Sequence, residues 1–280
     1  MKGTWKKLIY TLVVLIFLVL TLGPIIWCFV ISISSEKELF SNTVRILPDN
    51  PTLENYFNLL SFESRQSDMF MKGLKNSIKA TSVTLLIGLP IALMTAYGLS
   101  RFTFKGKKVI RTMLLITIVI PVFTTIIPLY DMFANLGLLD NTFWLSLVYV
   151  SSFLPMITWI LSNYIDTIPR ELDEAVLIDG GGRIRVFFSI ILPISRPIIV
   201  AVILMMFLMT WSQYQIPLIL ASSIKTKPLS MVVAEFTSKD AIEYGITAAA
   251  GILALLPPAI VAVIFRKLLV LGLTQGSVKG

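Results

Sequence analysis

An all-α membrane protein with six transmembrane helices is the fold class that this sequence predicts, and two patterns in it say so. The first is a set of long uncharged runs, at 8–35, 80–100, 112–130, 141–165, 197–224 and 244–265. Each is near or above the ~20 residues that a helix needs to cross ~30 Å of hydrocarbon. A single Asp, Lys or Arg at a helix centre costs roughly 2.5 to 3.5 kcal/mol on insertion, so a bilayer would enforce their absence. The second pattern is composition: only 14% of residues are charged, well under the ~25% usual in soluble domains. Helices are therefore predicted at about 8–33, 78–99, 112–133, 143–165, 197–220 and 245–265, in one permease-sized membrane domain that spans residues 1–280.

The first helix follows Lys2, Lys6 and Lys7, the opening of a secretory signal. Its apolar run exceeds an h-region of ~7 to 15 residues and no A-x-A site closes it, so it reads as an uncleaved anchor. An outer loop over 36–72 comes next. Pro48 and Pro51 interrupt it, and Leu53, Tyr56, Phe57 and Leu60 predict one short surface helix there. Asn76 and Ser77 are expected to cap the second helix, which ends at 98–101. The basic stretch R-F-T-F-K-G-K-K-V-I-R at 101–111 reads as a topology signal and a contact for anionic lipid rather than a ligand site.

Pro121 and Pro128 in the third helix and Pro155 in the fourth are positions for kinks beside a pathway, though irregular packing explains them equally. Trp211, Gln213, Tyr214 and Gln215 belong to the predicted fifth helix. Aromatic faces stack on sugar rings and amides bond hydroxyls, so these four are candidate pathway-lining residues; anchoring at the membrane interface accounts for them as well.

Lys and Arg set the orientation, because cytoplasmic loops are richer in them. With the N-terminus inside, the inner segments hold Arg101, Lys105, Lys107, Lys108 and Arg111, then Arg170, Arg183, Arg185 and Arg196, then Arg266, Lys267 and Lys279. The loop 131–140 holds no basic residue. Both termini, the tail 266–280 and the loop 166–196 are thus expected in the cytoplasm. The net charge of +8 then needs no nucleic acid to explain it. Histidine is absent and Cys28 is the one cysteine, which removes His-based acid–base chemistry, Cys/His metal sites and an intrachain disulfide.

Loop 166–196 is the most informative segment. Pro169 suits a first helical turn, and Glu171, Asp173 and Glu174 lie at the positive end of the helix dipole, each worth ~0.3 to 1 kcal/mol. Ile168, Leu172, Ala175 and Val176 share a face by three-and-four spacing. The glycines 180–182 stop this helix. A second short helix is expected from Arg183 and must end before Pro193. Helix, sharp turn and helix make a rigid coupling element, whose apolar side chains could each give a partner groove roughly 1.5 to 3 kcal/mol before ordering costs. A helix lying on the membrane surface would share the apolar face but not the acidic start.

The stretch E-A-V-L-I-D-G at 174–180 with I-I-L-P at 190–193 resembles the E-A-A loop of ABC-importer permeases. Together with A-Y-G-L-S-R-F-T-F-K-G, T-W-S-Q-Y-Q-I-P-L-I-L and the ending L-T-Q-G-S-V-K-G, it makes nearly the whole chain similar to the second permease of maltose-type carbohydrate importers. This resemblance implies a type I ABC importer permease fold. It implies that Glu174, Ala175, Val176, Asp179 and Gly180, with Ile190, Leu192 and Pro193, couple to an ATPase. Val176 replaces the family's more frequent alanine and adds two methyl groups against the partner cleft. Gln275, Gly276 and Lys279 fall in a tail that reaches towards the ATPase interface, and the outer loop 222–244 projects towards a solute-binding protein.

The implied partners are a sister permease in a heterodimer, two copies of an ABC ATPase subunit that bind ATP and Mg, an extracytoplasmic solute-binding protein and a sugar, in a bacterial-type inner membrane. No G-x-x-x-x-G-K-[ST] loop occurs in the sequence, so ATP hydrolysis is assigned to the separate ATPase, and no cofactor or metal to this chain. An ion-coupled secondary transporter is the rival; it usually places charges inside its spans, and here the spans hold none. A membrane enzyme lacks a nucleophile beside a base. Basic residues in the pore would favour a phosphate such as glycerol phosphate, and their absence tilts the cargo to a neutral sugar.

Overall fold

The computed structural model describes residues 2–41, 46–61, 63–237 and 243–266. All regular elements among them are helical. Four helices are long and apolar enough to cross a bilayer alone, and two bent pairs bring the number of spans up to six. The chain divides into two compact units, 1–72 with 232–257, and 73–231 with 258–280.

The first unit holds α1 (Lys2–Ser32), α2 (Glu36–Leu39) and α3 (Glu54–Leu60). Helix α1 stays continuous through Pro24. α3 is more than the surface helix predicted: Leu59 and Asn55 are buried. Asn55 Nδ2 donates to the carbonyls of Ser32 and Ser34, both at 3.0 Å, so it satisfies groups that the end of α1 leaves unpaired. A Cβ built on Gly245 would lie 2.5 Å from that same amide nitrogen, so the close approach requires glycine.

Helix α4 (Arg65–Arg101) begins in this unit and continues into the second. It has 37 residues, about 55 Å at 1.5 Å per residue, and starts 13 residues before the predicted second helix. Absence of charge marks where lipid begins, whereas the helix itself continues into water, where Lys72 and Asp68 pair at 2.7 Å. The expected cap at Asn76 and Ser77 is therefore corrected. Both lie inside α4, where Asn76 Nδ2 donates to the carbonyls of Ile224 and Lys227 and Ser77 Oγ accepts from the Leu229 amide.

The second unit adds α5 (Lys107–Val119), α6 (Val122–Asn135), α7 (Thr142–Asp166), α8 (Glu171–Ile178) and α9 (Arg183–Val186). A π-helical turn at Phe187–Ile191 leads to α10 (Leu192–Ile194), α11 (Arg196–Trp211) and α12 (Pro217–Leu220). α13 (Leu229–Phe236) and α14 (Tyr244–Ile264) cross the division between units. Tyr149, Phe153, Ile157, Leu161 and Ile165 on α7 form the centre of the core, against Leu93 and Tyr97 of α4 and Val202 and Met206 of α11. Gly88 permits this closeness, since a Cβ there would lie 2.7 Å from Met206 Cε.

Two predicted spans are broken rather than continuous. The third bends by 96° between α5 and α6, where Ile120 and Pro121 are extended, with ψ of 119° and 133°. Pro155, by contrast, leaves α7 unbroken. The fifth stops at Trp211, and its residues 213–215 form a turn instead of helix.

At the far end of α7 from the loop 166–196, Asp140 has a φ of 59°. Its Oδ1 accepts from the Ser223 amide at 2.9 Å, and its own amide donates to the Leu220 carbonyl. Burial pushes this carboxyl up, but hydrogen bonding from Ser223 and Thr226, with the Ser222 and Ser223 amides, outweighs it and holds the group below its ordinary value. A depressed folded value stabilises above the unfolded carboxylate value of ~3.9 and loses that stabilisation as pH falls through the folded one. Asp140→Ala should therefore cost about 1 to 3 kcal/mol near neutral pH. In thermal unfolding of the detergent-solubilised protein, the difference between wild type and Asp140→Asn should shrink as the pH drops below the carboxylate range.

Candidate functional site

Helix α8 is held against the inner ends of α4 and α7. Asp173, in its first turn, is buried and pairs with Arg101 Nε at 2.8 Å, with both side chains at most 4% exposed. Arg101 Nη2 also donates to the Ile168 carbonyl at 2.9 Å, just before α8. Around them, Ser100 Oγ donates to Asp166 Oδ1 at 2.5 Å and Arg111 Nη2 to Asp166 Oδ2 at 2.8 Å. Tyr97 OH donates to the Arg183 carbonyl at 3.0 Å, and the Arg183 guanidinium lies 5.8 Å from the Phe102 ring centre. The A-Y-G-L-S-R-F segment therefore forms the cradle of the loop, a role that reading Arg101 as a topology charge missed.

Glycine ends α8 in a specific way. Gly180 has a φ of +80°; its amide donates to the Leu177 carbonyl at 3.1 Å and the Gly181 amide to the Val176 carbonyl at 2.8 Å. These are the two bonds of a Schellman motif, with Gly180 at the left-handed position. The tight turn leads directly into α9.

Beyond α9 the expectation that the second helix ends before Pro193 is corrected. The Leu192 amide bonds the Phe187 carbonyl, five residues back, and helical structure continues through Pro193 to Ile194. A wider π turn accommodates the ring and the missing N–H, which an α-helix does not.

The predicted coupling residues divide by exposure. Glu174, Ala175, Asp179 and Gly180 face outward, whereas Val176 is half-buried and packs on the protein's own core with Leu177. The methyl groups of Val176 thus serve the loop's internal packing. Ile190, Leu192 and Pro193 are half-buried too, and Leu192 packs on the core. The expected shared face also separates: Ile168 is buried while Leu172 and Ala175 are open. In its place the loop exposes an apolar strip of Leu172, Ile178, Ile184 and Phe188, with Ile178 at 85%. Sequence spacing did not show the last three, because the turn at Gly180 brings residues of two helices to one surface.

Trp211 is corrected as an open stacking face: it is buried, with its ring stacked 5.5 Å from Phe207. Tyr214 and Gln215 are exposed, and Gln213 Oε1 accepts from the Tyr214 and Gln215 amides. Ser230 Oγ donates to the Gln213 carbonyl at 2.6 Å. Gln275, Gly276 and Lys279 lie outside the described residues.

The family model of the binding-protein-dependent transport system inner membrane component matches residues 88–275. The chain belongs to this family. It is a multi-pass membrane permease subunit, not an enzyme. Among its relatives, the galactooligosaccharides transport system permease protein GanQ of Bacillus subtilis (strain 168) is 32% identical over 280 residues, covering 98% of this permease and 96% of GanQ. The trehalose/maltose transport system permease protein MalG of Thermococcus litoralis is 30% identical over 276 residues, with 98% of each covered. In structure, this permease is similar to a chain of a bacterial ABC transporter involved in the import of the acidic polysaccharide alginate, with a TM-score of 0.82 at 21% identity, covering 95% of this permease and 97% of that chain. The all-α fold is that of a type I ABC importer permease.

Proposed function

We propose that this permease is half of the translocation pathway of an ATP-driven carbohydrate importer in a bacterial-type inner membrane. A sister permease supplies the other half, and an extracytoplasmic solute-binding protein delivers the sugar. Two ABC ATPase subunits bind ATP and Mg and engage the loop around Glu174, Ala175, Asp179 and Gly180. The exposed strip formed by Ile178, Ile184, Phe188 and Leu172 carries this reading. Apolar side chains so open at a tight turn, beside outward acids, suit burial in a groove of another protein more than contact with an anionic leaflet.

Carbohydrate as the cargo rests on the relatives, whose names specify galactooligosaccharides, trehalose or maltose, and diacetylchitobiose. The absence of charged residues from the predicted spans favours a neutral sugar.

The pathway follows from the broken spans. Non-helical backbone at membrane depth is tolerated only where it meets protein or lines water. Ile120 and Pro121 are exposed on this chain, as are Tyr214 and Gln215. These two breaks are assigned to the surface shared with the sister permease and the pathway, with Trp211 and Gln213 bracing the second.

Uptake by proteoliposomes tests the whole reading. With the sister permease, ATPase and binding protein present, sugar should accumulate only when ATP is supplied; accumulation without ATP or without the ATPase refutes it.

A further inference from the structure

We infer that the Arg101–Asp173 ion pair is the clasp through which movement of the coupling helix α8 is delivered to the span α4. This rests on the proposed docking of the loop to an ATPase, and it assigns a transmission role to residues that do not touch that partner.

Three observations carry it. Both side chains are at most 4% exposed, so the pair is inside this chain and not part of the docking surface. Asp173 Oδ1 has no hydrogen bond among the described residues, which leaves the guanidinium as the compensation for the buried carboxylate. Breaking such a pair strands a charge, so the two helices separate only against a large penalty. Finally, Arg101 grips the loop twice, at Asp173 and at the Ile168 carbonyl. A planar guanidinium makes two such bonds at a fixed angle, which resists rotation of α8 as well as its withdrawal.

A clasp of this kind separates docking from transmission. The outward residues of α8 still meet the ATPase when the clasp is open, but its displacement is absorbed between α8 and α4.

The test uses the complete reconstituted transporter. The double variant Arg101→Met/Asp173→Leu removes both charges and keeps apolar volume, which a buried site tolerates. It should retain the ATPase on co-purification and still hydrolyse ATP, while sugar taken up per ATP falls about tenfold, an ordinary size for lost coupling. Unchanged uptake per ATP would overturn the proposal and leave the pair as packing alone. Should the double variant fail to assemble, Arg101→Lys decides, because it keeps the charge and loses the two-pronged grip; uptake per ATP should fall severalfold, and normal coupling would equally overturn the clasp. Failure of docking itself has a different signature, namely loss of both ATPase and hydrolysis in wild-type buffer conditions or retention of both in Glu174→Lys.

Discussion

Glu174→Lys should give a permease that inserts normally, no longer retains its ATPase on purification, and has lost transport. Glu174 is exposed and makes its place in the first turn of α8, so within this chain the substitution removes only a dipole interaction of about 0.3 to 1 kcal/mol. A charged residue central to a docking surface is worth about 2 kcal/mol or more, roughly thirtyfold in affinity. The effect on ATPase retention should therefore far exceed the effect on melting temperature. Glu171 is the control, being exposed in the same helical turn. Glu171→Lys loses a comparable dipole contribution, and co-purification should survive it; equal loss in both variants would mean that α8 had simply frayed.

Gly181→Ala should be the most damaging single-methyl change in the loop. The sequence draws attention to Gly180, whose φ of +80° disfavours any side chain, yet a Cβ at Gly180 meets nothing within 4 Å. At Gly181 the backbone angle is permissive but the space is filled: a Cβ would lie 2.6 Å from Val176 Cγ1 and 2.7 Å from the Val176 carbonyl oxygen. That carbonyl also accepts the Gly181 amide, so relief of the clash opens the Schellman turn. Overpacking of this kind costs about 1 to 3 kcal/mol, enough to displace Ile178 from Ile184 and spread the docking strip. Adding Val176→Ala removes the methyl contact but not the carbonyl. Transport in the double variant should consequently recover only in part, whereas full recovery would show that the methyl contact alone was responsible.

The six charge-free runs were legible because a bilayer excludes charge from each span independently. Backbone geometry inside those runs was not, since composition carries no dihedral information. Pro121 breaks its span and Pro155 does not. The helix around Pro155 is fixed by the buried Phe153, Ile157 and Leu161, while α5 has no buried residue to hold it straight. Gln213 was placed on a helix by the same blindness. At the loop, the acidic start, the glycine stop and the outward Glu174 were local features and could be read locally. The partner of Asp173 could not, because Arg101 lies on another helix and looks, in sequence, like one more basic residue of an inner loop. Ile178, Ile184 and Phe188 needed the three-dimensional turn before they formed a surface.

The π turn at Phe187–Ile191 has a consequence for how the loop and the membrane helix are aligned. Such a turn is an α-helix with one surplus residue, closed by bonds to the fifth residue back. Removing one residue there would restore α-helical bonding and rotate everything beyond it by about 100°, one residue's share of a 3.6-residue turn. The azimuth of α11, and with it the direction in which Tyr214 and Gln215 point, is thus set by a single inserted residue about twenty-five positions earlier in the chain.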